Sequence, residues 1–110
     1  MQVVDELEKD KERFLGQDIS FIINQMRYAV IDAEIRKYAE KWYLDFEDVR
    51  YEAFHFRDGE LANENKLKDS ADYASYRKEN KDALPKFKFR KLMIDEFKNV
   101  LMTEIAPLMD

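Results

Sequence analysis

The chain has 110 residues, a net charge of −5, 45% hydrophobic and 14% aromatic side chains, and 39% charged ones. That length suits one domain with a single modest core, and the apolar share argues against a disordered chain. The absence of cysteine excludes disulfides, thiolate zinc sites and cysteine nucleophiles, and two Gly and two Pro are too few for a turn-rich sandwich or barrel.

In chain order, residues 3–15 read as a charged amphipathic helix with a thin apolar edge of Val3, Val4, Leu7, Phe14 and Leu15. It opens with no turn or cap signal before Met1, so a fragment of a longer chain is expected. Gly16 suits a helix C′ position and Asp18 the next N-cap. Residues 18–42 follow as the central helix. Ile19, Ile22, Ile23, Met26, Val30 and Ala33 form one apolar stripe; Tyr28, Ile31, Ile35, Tyr38 and Trp42 form a second. Two stripes imply neighbours on two sides.

Leu44-Asp45-Phe46-Glu47-Asp48-Val49 is the clearest local signal. Asp45 suits N-cap, Asp48 sits at N3, and Leu44 can staple to Val49. Phe46, Val49, Ala53 and Phe56 then line a third helix that Gly59 can end. Residues 59–70 are polar and weakly patterned, as in a loop or a frayed turn. Ser70 can cap a short helix over 71–79. Pro85 can open the last helix, from about Lys86, on which Phe89, Met93, Phe97, Val100 and Leu101 share a face; Pro107 marks its end. The sum is an all-α fold, an irregular bundle of four to five helices around a central helix at about 18–43, in one domain over 1–110. The expected core is Ile22, Ile23, Met26, Val30, Ile35, Tyr38, Trp42, Val49, Phe56, Met93, Phe97, Val100 and Leu101. No run of about 18 apolar residues suggests a membrane span, and the acidic start is unlike a signal peptide, so a cytoplasmic protein is expected.

Few constellations could carry chemistry. His55 is the single histidine, with Glu52 three residues away, and one such pair does not make a metal site. Glu64-Asn65-Lys66 and Glu79-Asn80-Lys81 fit half of a nuclease metal site but lack an upstream carboxylate on a strand. Tyr38, Trp42 and Tyr43 fit either a partner anchor or core residues with satisfied polar tips. Asp32 and Arg36 are spaced for an i,i+4 pair. No catalytic, cofactor or metal residue is assigned, and no cofactor is expected.

Charge is unevenly distributed. Residues 1–65 carry a net −7, residues 66–91 a net +5 and residues 92–110 a net −3. Within the basic part, Lys86-Phe87-Lys88-Phe89-Arg90-Lys91 interleaves cations with aromatics. Phosphates and stacked bases would suit it, and so would a helix whose Phe side chains enter the core while the cations stay in water. Arg77, Lys78, Lys81, Lys86, Lys88, Arg90 and Lys91 are therefore the candidates for contact with a nucleic-acid backbone or an acidic partner. Any contact with DNA would go to phosphates and be blind to sequence.

The segment from Trp42 to Asp110 resembles the far C-terminal helical part of the restriction (motor) subunits of type I restriction–modification enzymes. The runs that carry the likeness, in texture and order, are Asp45 to Ala53, Gly59 to Asn65, Lys68 to Tyr73, Pro85 to Lys91 and Glu104 to Leu108. The family's nuclease and translocase motifs lie upstream in the subunit and are not present here. The resemblance therefore implies a non-catalytic docking module that joins the motor subunit to the methyltransferase–specificity core. No family catalytic residue maps onto this chain. An auxiliary DNA-backbone-binding domain and a stand-alone protein-interaction domain are the alternatives.

Overall fold

The expected all-α fold is realised among the described residues. The computed structural model describes residues 19–109, and no strand occurs among them. The expected helix over 3–15 and the Gly16–Asp18 break lie outside the described residues. The helices are α1 (Ile19–Lys41), α2 (Phe46–Phe54), α3 (Glu64–Ser70), α4 (Tyr73–Glu79) and α5 (Lys86–Val100). A π-helical turn, Leu101–Ile105, then leads into α6 (Ala106–Met109). The chain divides into two units, residues 1–30 and 31–110.

In the second unit, α1 contributes Ile31, Ile35, Tyr38 and Ala39 to a buried cluster. Val49 and Ala53 of α2 and Leu67 of α3 join it. So do Phe89, Met93, Ile94 and Phe97 of α5, then Leu101 and Ile105 of the π-turn. Tyr38 stacks on Phe97 with ring centroids 4.7 Å apart, and its hydroxyl donates to the Met93 carbonyl. Full burial of each such large side chain stabilises the fold by about 1.5–3 kcal/mol.

In the first unit, the start of α1 corrects the expected core. Ile22, Ile23, Met26 and Val30 are exposed, Met26 to 64%. Periodicity identifies an apolar face but not what covers it, and of the two stripes only the second is buried, from Ile31 onward. Of the other expected core residues, Ile35, Tyr38, Val49, Met93, Phe97 and Leu101 are buried. Trp42, Phe56 and Val100 are half-buried at the margin of the cluster.

Local chemistry explains the connections. α1 ends in a Schellman motif: the Leu44 amide donates to the Ala39 carbonyl (2.8 Å) and the Tyr43 amide to Glu40 (3.4 Å). Tyr43 occupies the left-handed position (φ 57°) where glycine is usual. It is held there by its hydroxyl on Glu79 and by its carbonyl, which accepts from the Asp72 amide at 2.8 Å. Asp45 caps α2 as expected, accepting from the Glu47 and Asp48 amides. That helix ends at Phe54, so Gly59 does not terminate it. Instead Asp58 and Gly59, both with positive φ, form a two-residue turn bridged by Arg57 and Glu60.

Residues 64–70, expected as a loop, are helix α3. Asn63 caps it, a Glu64–Lys68 pair supports it, and Leu67 is its one buried anchor. α4 is capped by Asp72 rather than Ser70, whose hydroxyl instead donates to the Leu67 carbonyl. α5 begins at Lys86 behind Pro85, as expected. Pro107 does not end the last helix. The backbone widens into the π-turn just before it, where the Ala106 amide bonds Leu101 five residues back. A proline lacks the amide donor and crowds the carbonyl four residues back, so a change of hydrogen-bond register next to it lets the helix continue.

Candidate functional site

The candidate site is a groove of about 650 Å³ between α3 and α5. Positions 86, 90, 94 and 98 follow one ridge of α5, and 87, 91 and 95 follow the next. Phe89, Met93 and Phe97 turn to the core, which leaves Lys86, Phe87, Arg90, Lys91, Ile94, Asp95 and Lys98 along the groove. α3 supplies Glu64, Asn65 and Lys68 to the other wall.

Three of the five cations are held by carboxylates of the chain. Glu64 takes Lys68 and Lys98, each at 3.2 Å. Asp69 takes Arg90 at 3.1 Å. Partial burial of Glu64 disfavours its charge, but the two ammonium groups prevail and hold its carboxyl below the usual glutamate value. Lys86 and Lys91 have no ion pair among the described residues, and Phe87 between them is 68% exposed. α5 also opens with no side-chain cap and no acidic residue in its first turn. Cations placed at this end oppose the helix dipole, which ordinarily favours acids there.

The fold sorts the seven cations expected to meet an anionic partner. Lys86, Arg90 and Lys91 line the groove. Lys88 sits on α5 outside the lining, Arg77 and Lys78 on α4, and Lys81 in the turn after it, all exposed. Lys68 and Lys98 were missed. Lys98 was legible, eight residues from Arg90 on the same face; Lys68 was not, because α3 itself read as a loop.

The other constellations resolve into structural roles. Glu52 is buried, and its carboxylate accepts the Asn63 amide at 2.9 and 3.2 Å. His55 is exposed, stacks on Tyr51 (4.0 Å between centroids) and bonds the Tyr51 carbonyl through Nδ1. Helix position therefore separates this pair instead of joining it. Lys66 approaches Asp48 at 4.0 Å, and Glu79 accepts from Tyr43. Among the described residues, no three His, Asp or Glu side chains converge as a metal site would require.

Tyr38 is buried, and Trp42 is half-buried with its indole N–H donating to Glu96, so both are packing residues with satisfied tips. Burial first, and the Glu96 charge second, raise the Tyr38 hydroxyl above the usual phenol range. Asp32 pairs with Arg50 (3.4 Å) rather than with Arg36, whose guanidinium lies 4.4 Å from the Phe46 ring centroid.

No helix among the described residues is long and apolar enough to cross a membrane. No family model, curated protein or solved structure matches this chain.

Proposed function

We propose that this chain is a helical assembly module whose partners are other protein subunits. The resemblance supplies the specific setting: the junction between the motor subunit of a type I restriction–modification enzyme and its methyltransferase–specificity core, in the cytoplasm. The observation that supports the reading is the apolar face on the first half of α1. Ile19, Ile22, Ile23, Met26 and Val30 fall on one stripe at helical spacing, and all are exposed. Single exposed apolar residues are ordinary on a protein surface, whereas a contiguous stripe on a helix suits helix-in-groove docking.

The test is co-purification of the methyltransferase and specificity subunits with a motor subunit ending in this chain, unaltered or carrying Ile22→Asp and Met26→Asp. Both positions are exposed, so the substitutions leave the fold intact. Loss of co-purification is expected. Assembly indifferent to both changes would sink the proposal.

A further inference from the structure

We infer that the groove between α3 and α5 binds an extended acidic peptide segment in which carboxylates flank an aliphatic or aromatic side chain. Charge complementarity carries the assignment. The groove presents five cations against Glu64 and Asp95, and its internal pairing shows the kind of group it matches. Of the carboxylates already in place, Glu64 between Lys68 and Lys98 and Asp69 on Arg90 sit within 3.2 Å of an ammonium or guanidinium. Lys86 and Lys91 offer the same chemistry with no carboxylate on them. Exposed Phe87 lies between these two on the surface of α5, a seat for an apolar side chain flanked by acids. Anions there would also relieve the concentration of positive charge on the positive end of the α5 dipole.

A nucleic-acid backbone fits less well. Its phosphates form an unbroken run of charge that would meet Glu64, Asp95 and Asp69, and the chain's net charge of −5 repels a polyanion at a distance. A peptide can place neutral residues where the groove is acidic.

The measurement is fluorescence anisotropy of the full chain with a short labelled peptide alternating acidic with leucine or phenylalanine residues. Its arms are a sequence-matched peptide with Gln and Asn for the acids, and single-stranded and duplex oligonucleotides. Binding of the acidic peptide alone is expected, weakening from low to physiological salt as exposed charges are screened. Lys86→Glu combined with Lys91→Glu should weaken it about tenfold, and Phe87→Ala about threefold. These side chains are exposed, and circular dichroism confirms that the variants keep their helices. No binding of the acidic peptide at low salt, equal binding of the neutral peptide, or unchanged affinity in the charge-reversed variant would each overturn the inference. Tighter binding of either oligonucleotide would overturn it too, and would make the groove a phosphate-backbone site.

Discussion

Met26 and Phe97 show how far a residue's environment can depart from its hydrophobicity. Both lie on apolar helical stripes, yet Met26 is 64% exposed and Phe97 is fully buried. Truncating Phe97 to Ala should cost about 3–5 kcal/mol, the transfer free energy of the ring plus the cavity left behind. Truncating Met26 should stay within about 0.5 kcal/mol, because an exposed side chain leaves no cavity. Urea denaturation of the two variants checks the contrast, and equal losses would place Met26 in a core. Glu52 is the inverse case, a carboxylate buried for a structural reason. Its two oxygens accept one amide, that of Asn63, the residue capping α3. Glu52→Ala should therefore cost about 1.5–3 kcal/mol, the loss of a hydrogen bond to a charged acceptor. Glu52→Gln retains an acceptor and should recover part of that loss. Equal destabilisation by both would shift the cause from the hydrogen bond to the buried charge.

Among the elements, legibility followed how much of the stabilising chemistry is local. The α2 cap was readable because Asp45, Glu47 and Asp48 are within three residues of one another. Asp45→Ala should cost about 1 kcal/mol, with wild-type stability as the contrary result in the same urea titration. The start of α5 was readable because a proline fixes its own φ and lacks only an amide that a first turn does not use. α3 was not readable: its single buried side chain, Leu67, makes no periodicity, and its carboxylate pairs with Lys98 on another helix. Gly59 marks a break in the sequence pattern, but not the end of α2. It forms a turn with Asp58, and with φ 76° and open space around a would-be Cβ, its constraint is backbone conformation rather than crowding. The α1 stripe was correctly placed on the helix and wrongly assigned to the core, since what covers a face is a tertiary fact. Half of the candidate groove was likewise visible as the basic run on α5; the rest required α3 to be brought beside it.

At the scale of the 31–110 unit, two glutamates tie helices that are distant in sequence. Glu64 joins α3 to α5 through Lys98. Glu96 joins α5 to the end of α1 through Lys41, at 2.6 Å, and through the Trp42 indole. For each, burial pushes the carboxyl up, while the cationic partners, aided at Glu96 by the indole N–H, bring it below its ordinary value of 4.5. A carboxyl whose folded pKa is depressed contributes stability that is present above its unfolded pKa. That contribution is lost as pH falls through the folded value. The loss therefore belongs to the range below about pH 4.5. Both side chains are about one-third exposed, so solvent screening keeps each contribution modest, and added salt should reduce it. Thermal melts across the acid range should show a lower Tm at neutral pH for Glu64→Gln and for Glu96→Gln. As pH falls below 4.5 and through the folded value, each variant should converge on the unaltered chain, because protonation progressively removes the interaction that the variant already lacks. Curves that stay parallel down the acid limb would show that these carboxylates do not carry the acid sensitivity, leaving helix-to-helix adhesion to the apolar cluster alone.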